Sequence, residues 1–425
     1  MSGFENGTLK PVRHFEDFVP RDGAKDIFEK VAELDSYLRD SPECYLDGLG
    51  LQILGPADHE IEILEKNNYR HKVIMLGSNS YLSLTTHPQV VKASIEACKK
   101  YGYGMGSVSL CAGTSDLHRE LETRIANFYG TDDAIIFPCG YSGNVGVISA
   151  LCGTGDVTIN DSANHASLFD GCRLSGADIK VYLHGNMHHL HRILKNIGKS
   201  QRGRLIVTDG VFSMDGDIAP LGDIVELAEK YGARIMIDDA HGLGIVGETG
   251  RGSAEKCGCS GKIDIMCGTL SKAPAAIGGY CAGSKALIRY LRYYARTYFF
   301  STSIPAPVIA GLIEVFKLLD KDKAGRDKLW KNINYMLAGL RNLGFNTGST
   351  ESAIIPIIVG DENKLALFHN ELRSRGVFTN LVTFPAVRRK ECRLRVSIMN
   401  SLTQNDMDYA ISVFTELGRK HGIIG

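Results

Sequence analysis

Features that would mark several protein classes are missing from this chain. Lysine plus arginine and aspartate plus glutamate each number 48, so the net charge is zero, and no basic run suggests a nucleic-acid partner. The longest apolar stretches, such as 308–315, are too short to span a bilayer, and residues 1–20 carry charges where a signal peptide needs an apolar core. We therefore expect a cytoplasmic protein that has no transmembrane segment and binds no nucleic acid.

Metal ligands in a recognisable arrangement are missing as well. The 11 cysteines are scattered, as in proteins of a reducing compartment, and Cys257 and Cys259 are too close together and too isolated for a zinc site. The other candidate is a histidine-rich segment, which we expect on a loop and a solvated helix face with no acidic or thiol partner nearby. Its members are His184, His188, His189 and His191. The sequence therefore predicts no metal site.

Short apolar runs alternate with amphipathic segments from residue 73 onward. Strands that alternate with helices in this way predict an α/β fold, with a mostly parallel sheet flanked by helices on both faces. The expected strands are 134–137, 156–159, 180–183, 205–208, 234–237, 263–266 and 279–282. After 305–307, a Pro-Ala-Pro segment, the alternation restarts, which predicts a smaller C-terminal α/β domain. We place the large domain at 73–304 and the small domain at 305–425.

Residues 1–72 form an expected N-terminal extension that contains one amphipathic helix. Ile27, Val31, Leu34 and Leu38 recur at helical spacing and define its apolar face. We expect this face to pack against the body of the protein or against a partner subunit. The alternative is peripheral contact with a membrane surface, which the mixed charges of the opposite face disfavour.

The chemistry is indicated by an acid and a lysine at the ends of two expected strands. Asp238 and Asp239 follow strand 234–237, and Lys272 follows strand 263–266 behind a small hydroxylated turn. Pyridoxal 5'-phosphate (PLP) needs such a pair: a lysine amine to bond to its aldehyde and a carboxylate to keep its ring nitrogen protonated. We choose Asp238 for the ring nitrogen, with Asp239 as the alternative. The sequence thus predicts a PLP site.

Further polar residues follow the other expected strands, where ligands of a parallel sheet bind. His241 is placed to bond the cofactor's phenolic oxygen, although a core histidine bonded to backbone is the alternative; Ser213 supplies a second hydroxyl near that oxygen. His165 is placed to stack on the ring, unless it is a structural loop histidine. Segment 139–144 opens a helix with small residues whose N–H groups can face a phosphate, which the hydroxyls of Thr269 and, less strongly, Ser271 can also hold.

An arginine in the small domain is the expected clamp for a substrate carboxylate. Arg393 and Arg395 lie two apart in one expected strand and so share a face, which leaves the choice between them open on pattern alone. A planar guanidinium binds a carboxylate through two parallel hydrogen bonds.

Taken together, these segments resemble the α-oxoamine synthases, PLP enzymes of aminotransferase fold type I, over about four-fifths of the chain. The matching segments are 77–82, 113–122, 164–167, 209–217, 238–241, 268–272 and 301–303. The resemblance implies that Lys272 bonds to PLP, His165 stacks on it and Asp238 pairs with its ring nitrogen. Cofactor contacts are implied for Gly140, Tyr141, Ser213, His241 and Thr269, and for Thr302 across a homodimer interface. Carboxylate binding is implied for Arg395, beside Asn79, and this favours Arg395 over Arg393.

The resemblance also implies the reaction, a condensation of an amino acid with an acyl-CoA that releases CoA and CO2. Several local segments look most like soluble serine palmitoyltransferase, so we expect serine and a long acyl chain, with glycine C-acetyltransferase or another short-chain member as the alternative. Ser109, Arg388 and 402–403 depart from the family pattern in regions that can set substrate choice. A transaminase, a lyase and a non-catalytic subunit are the competing hypotheses.

Overall fold

A seven-stranded sheet with helices on both faces is the largest element of the protein. The computed structural model describes residues 18, 26–40, 50–65, 68–197 and 202–425. The strands are β1 (Gln52–Leu54), β2 (Glu60–Leu64), β3 (Arg70–Met75), β4 (Asp133–Phe137), β5 (Val157–Asp161), β6 (Asp178–Tyr182), β7 (Arg204–Asp209), β8 (Arg234–Asp238), β9 (Ile265–Thr269), β10 (Gly279–Gly283), β11 (Ile354–Ile358), β12 (Val377–Phe378), β13 (Asn380–Val382) and β14 (Arg393–Ser397).

The helices lie between many of these strands, and the last helix follows β14. They are α1 (Glu29–Asp40), α2 (Pro88–Tyr101), α3 (Asp116–Tyr129), α4 (Gly140–Leu151), α5 (Ala166–Ser175), α6 (Met187–Asn196), α7 (Leu221–Tyr231), α8 (Ser253–Lys256), α9 (Lys285–Tyr294), α10 (Arg296–Phe299), α11 (Ala306–Lys321), α12 (Lys323–Asn342), α13 (Glu362–Ser374) and α14 (Gln404–Lys420). None of the helices in the described ranges is long and apolar enough to cross a bilayer.

The large sheet has the order β4-β10-β9-β8-β7-β5-β6 and confirms the predicted α/β class. The strand pairs from β6 to β9 are parallel, whereas β10 pairs antiparallel with both β4 and β9. Neighbouring residues of one strand belong to different cores, as alternation requires: Ile206 packs on one face, and Leu205 and Val207 pack on the other. All seven predicted strands exist, with ends displaced by at most three residues because polar residues such as Asp209 and Asp238 continue the ladder.

The small C-terminal sheet has the order β11-β14-β13, and both of its pairs are antiparallel. All five residues of β14, the central strand, are buried, which fixes two arginine side chains inside the protein. This sheet therefore carries the expected carboxylate clamp on its most constrained strand.

A third sheet, β1-β2-β3-β12, was not predicted. Strands β1 to β3 form an antiparallel meander, and β12 adds in parallel to β3 through Val377 opposite Ile74. Residues of β2 alternate between exposed and buried, which is a strand pattern that the sequence does contain. Through β3 and β12, this meander is tied to the C-terminal part of the chain.

The amphipathic helix expected near the N-terminus is α1. In the part of the chain that the structure describes, its apolar face is largely exposed: Val31 is 52% exposed, whereas Leu34 is half-buried. Ile27, predicted as part of this face, is 76% exposed and precedes the first residue of the helix. The partner for this face, whether a second subunit or a membrane surface, stays a prediction. The domain boundaries after residues 72 and 304 stay predictions too.

Candidate active site

The candidate site lies at the carboxyl ends of β7, β8 and β9, where ligands of parallel sheets bind. Asp209, Asp238 and Thr269 are the last residues of these strands, and Asp209 lies opposite Asp238 in the ladder. They border a cavity of about 240 Å³. Its lining includes nine of the predicted site residues: Gly140, Tyr141, His165, Ser213, Asp238, His241, Thr269, Ser271 and Lys272. The fold thus brings together residues that lie as far apart in the sequence as Gly140 and Lys272.

Lys272 and Asp238 face this cavity from neighbouring strand ends. The pKa of Lys272 is lowered to about 8, first by burial and next by the positive charge of Arg395, while Asp238 and Asp209 act in the opposite direction. The amine is therefore unprotonated near neutral pH to a much greater extent than that of an ordinary lysine, and the unprotonated form is the nucleophile. Asp238 accepts hydrogen bonds from Asn144 Nδ2 at 2.6 Å and from the backbone N–H of Ala240 at 3.1 Å. Both partners are donors, one to each carboxylate oxygen.

His241 joins the lysine to a buried tyrosine that the sequence reasoning did not single out. Its Nε2 lies 2.5 Å from Lys272 Nζ, and its Nδ1 lies 2.7 Å from the hydroxyl of Tyr81. Burial and the charges of Lys272 and Arg395 lower the pKa of His241 well below its usual value, so the ring is neutral. Tyr81 is itself fully buried, and burial raises its pKa to about 12. The only sequence signal for Tyr81 was its place in the segment 77–82.

Arg395 approaches the same tyrosine from the small sheet. Its Nη2 donates to Asn79 Oδ1 at 3.0 Å and lies 3.4 Å from the Tyr81 hydroxyl, and its Nε donates to Ser213 O at 2.6 Å. Arg393, on the same face, is instead paired with Asp215 at 2.5 Å. Both arginines lie on one face of β14, as strand alternation predicts, but only Arg395 reaches the residues around Lys272. Asn79 and Arg395 are not among the lining residues of the cavity. Arg395 is connected to the lining residue Ser213 by a hydrogen bond.

The polar groups at the N-terminus of α4 fit the phosphate of PLP. The first bond within this helix is from Gly143 N to Cys139 O, so the N–H groups of Gly140 and Tyr141 precede the ladder. A Cβ at Gly140 would lie 2.8 Å from Thr269 Cβ, so glycine alone lets the helix start approach Thr269 this closely. Thr269 Oγ1 lies 2.7 Å from Ser271 Oγ. Backbone N–H groups and hydroxyls converging on a helix start form an anion site.

His165 lies on the cavity wall at the start of α5 and is held from both sides. Its backbone N–H donates to Asp209 Oδ2 at 3.0 Å, and burial lowers the pKa of its imidazole. Tyr141 approaches the ring edge-on at a centroid distance of 6.4 Å. Burial and the neighbouring Asp238 raise the pKa of Asp209 well above its usual value, so this carboxyl adds little charge to the site.

Thr302 is the one predicted cofactor residue that lies away from the cavity. It forms an isolated bridge with Val108 and is absent from the lining. That Thr302 serves the site of a second subunit stays a prediction.

The expectation that His184 has no acidic partner is wrong. Its two ring nitrogens lie 3.0 Å from Asp161 Oδ1 and 2.9 Å from Asp217 Oδ2, because the ends of β5 and β6 and the segment after β7 meet at one sheet edge. These two carboxylates raise the pKa of His184 to about 10. A protonated imidazole has no lone pair for a metal, so His184 is an ion-pair partner.

Comparisons with known proteins agree with this geometry. The family model "Aminotransferase class I and II" matches residues 71–414. An 8-amino-7-oxononanoate synthase of Bacillus subtilis strain 168 is 46% identical over 349 residues, which cover 82% of this chain and 89% of that protein. The 4-hydroxy-2,2'-bipyrrole-5-methanol synthase PigH of Serratia is 39% identical over 419 residues, or 98% of this chain, which spans 64% of that longer protein. The solved serine palmitoyltransferase of Sphingomonas wittichii superposes with a TM-score of 0.88 and 32% identity, covering 94% of this chain and all of that one.

The chain therefore belongs to the aminotransferase class I and II family and has aminotransferase fold type I. Within that family it is an α-oxoamine synthase, a PLP-dependent acyltransferase.

Proposed function

We propose that the residues around Lys272 condense a small amino acid with an acyl-CoA, releasing CoA and CO2 and forming an α-amino ketone. The observation that supports this most is the continuous chain of contacts from Lys272 through His241 and Tyr81 to Arg395. It holds an amine and a carboxylate-binding guanidinium at fixed positions on one side of the cavity. Such a pair can bind the α-carboxylate at one end and remove the α-proton at the other.

Each residue then has a defined task. Bound PLP would supply an electron sink for the α-carbon. Arg395, positioned by Asn79, binds the substrate carboxylate, and Lys272 binds the cofactor and moves the α-proton. Asp238 holds the ring nitrogen protonated, and His241 bonds the phenolic oxygen together with Ser213. Gly140, Tyr141 and Thr269 hold the phosphate, and His165 stacks on the ring and polarises the acyl carbonyl.

For the substrates, the sequence relatives favour alanine with an acyl chain that ends in a carboxylate. The product named for the Bacillus relative is an oxononanoate whose amine-bearing carbon carries a terminal methyl group. Alanine would leave that methyl after losing its carboxylate, and the rest of the product corresponds to an acyl group with a distal carboxylate. At 46% identity, this relative supports a short-chain α-oxoamine synthase more strongly than serine palmitoyltransferase.

Serine remains the second candidate, with two observations in its favour. The match to the Serratia protein extends over 98% of this chain and therefore includes the N-terminal region. The hydroxymethyl group in that protein's product name is the group that serine would supply. The Sphingomonas structure, a serine palmitoyltransferase, superposes on 94% of this chain.

We also propose that the active unit is a homodimer. Three aromatic side chains near Thr302, namely Tyr293, Tyr294 and Phe300, are each more than three-fifths exposed in the single chain. Exposed aromatic clusters of this kind mark protein interfaces. A second copy would cover them and bring Thr302 towards the partner's cofactor. Multi-angle light scattering is expected to give twice the chain mass, and a monomer that retains full activity would contradict the proposal.

Mass spectrometry of the products tests the substrate assignment. Purified, PLP-loaded protein is given alanine, serine or glycine with acetyl-CoA, an ω-carboxylated medium-chain acyl-CoA or palmitoyl-CoA, and Lys272→Ala protein is the control. An amino ketone built from alanine and the carboxylated chain supports the first candidate. A long-chain product from serine would move the protein to the second, and products that Lys272→Ala forms equally well would refute the site.

A further inference from the structure

Two buried residues of the cavity wall connect His165 to Asp238. Asn144, on α4, is 2% exposed, and Ser167, on α5, is fully buried. Asn144 Nδ2 lies 2.6 Å from Asp238 Oδ2 and 2.9 Å from Ser167 Oγ. Ser167 Oγ in turn lies 2.8 Å from His165 Nδ1. Four side chains from three separate segments thus form one hydrogen-bonded line.

The amide hydrogens of Asn144 set the direction of the first two hydrogen bonds in this line. An ionised carboxylate only accepts hydrogen bonds, so Asp238 must face the amide nitrogen of Asn144. That nitrogen has two hydrogens; one goes to Asp238 and the other to Ser167 Oγ. The serine oxygen is therefore an acceptor from Asn144, and its own hydrogen is available for His165 Nδ1.

A backbone N–H group shows that His165 Nδ1 is an acceptor. The N–H group of Ser167 also points at His165 Nδ1, at 3.3 Å, and a backbone N–H can only donate. Two donors thus converge on one ring nitrogen, which leaves no room for a proton there. Burial lowers the pKa of His165, so the ring is neutral and carries its single proton on the other nitrogen. That nitrogen, Nε2, makes no hydrogen bond within the described ranges of the chain.

We propose that Asn144 and Ser167 are positioning residues that lock His165 in the Nε2–H tautomer, so that it presents a hydrogen-bond donor to the substrate. The assignment deepens the proposed function and rests on it for the identity of that substrate. A neutral ring with Nε2–H can donate to a carbonyl or carboxylate oxygen but cannot accept the α-proton. Lys272 is then the base of the reaction, and His165 is restricted to donation and stacking. The hydrogen bonds through Asn144 and Ser167 also connect the ring of His165 to the carboxylate of Asp238.

Nuclear magnetic resonance of the PLP-loaded protein with ¹⁵N-labelled histidine reads the tautomer directly. A His165→Asn sample identifies the signals of this ring among the 13 histidines. The wild type is expected to show Nε2 protonated and Nδ1 unprotonated. A proton on Nδ1 in the wild type would overturn the proposal. No substrate is present, so this result stands whether or not the proposed condensation is found.

Variants then test whether Asn144 and Ser167 cause the locking. Asn144→Ala and Ser167→Ala each remove a donor, and a detectable population of the Nδ1–H form is expected in both. Ser149→Ala is the matched control, because it removes a part-buried hydroxyl that bonds only backbone on the same helix. Turnover is expected to fall about tenfold in the first two variants and to stay unchanged in the control. Ring signals that match the wild type in both variants would overturn the proposal, and Ser167→Ala alone decides if Asn144→Ala does not fold.

Discussion

Replacing Tyr81 with phenylalanine should destabilise the protein by an amount that the buried hydrogen bonds determine. Phenylalanine keeps the ring of this fully buried residue and removes only the hydroxyl, so packing is conserved. The change leaves His241 Nδ1, now 2.7 Å from that hydroxyl, without its partner in a dry environment. Arg395 keeps its shorter bonds to Asn79 and Ser213. An orphaned buried polar group costs about 1–3 kcal/mol, which is the expected loss in unfolding free energy.

Tyr182 provides a matched control at an equally buried position. Its hydroxyl lies near Thr208 but makes no hydrogen bond of acceptable geometry within the described residues. Tyr182→Phe removes a buried polar atom that is already unsatisfied, so it should be neutral or stabilising. The two substitutions are chemically identical and differ only in what the hydroxyl contacts.

Urea titration of the PLP-free proteins measures both effects. Trp330 is the only tryptophan, and its Nε1 donates to Ile245 O at 2.9 Å, so its fluorescence reports the loss of native packing. Removing PLP keeps ligand binding from shifting the midpoint. The reasoning is refuted if Tyr81→Phe unfolds at the wild-type urea concentration while Tyr182→Phe unfolds at a lower one.

Three other predictions concern the site and its edge. The rate at which PLP-free protein captures PLP should rise with pH through the Lys272 pKa of about 8, because only the neutral amine reacts; a rate independent of pH would contradict this. Gly140→Ala should raise the PLP dissociation constant at least about tenfold, measured by fluorescence titration, since the new Cβ would displace the phosphate donors from Thr269. The melting temperature of His184→Ala should fall furthest below the wild type near pH 6 and converge with it as pH rises through about 10, because a histidine with a raised pKa stabilises the fold only while protonated.

The parts of the fold that were predictable have local signals. Strands β4 to β10 are apolar runs bounded by turns, and the helices between most of them predict a mostly parallel sheet. Strand β10 follows β9 without a helix and is antiparallel to it. The same logic placed Asp238 and Lys272 at one edge, because carboxyl ends of parallel strands meet there. The choice of Arg395 over Arg393 needed the family resemblance, and the structure adds the reason: Arg393 is paired with Asp215.

The parts that were missed depend on distant pairings. Strand β3 pairs in parallel with β12, some 300 residues later in the chain, and no local sequence pattern predicts that pairing. Asn144 lies 94 residues from Asp238, and the sequence predicted it only as the end of the phosphate-facing segment 139–144. The acidic partners of His184 are 23 and 33 residues away. Side-chain networks of this kind follow from the packed sheet and not from spacing.

The fate of the amino acid's carboxylate tests the central claim most directly. PLP-loaded protein is incubated with carboxyl-¹³C alanine, serine or glycine and an acyl-CoA, and both CO2 and the amine product are analysed by mass spectrometry. A decarboxylative condensation predicts labelled CO2 in equal amount to released CoA and an amino ketone without label. A product that retains the labelled carboxyl carbon, or CoA released without CO2 from all three amino acids, would contradict the assignment of this chain's reaction.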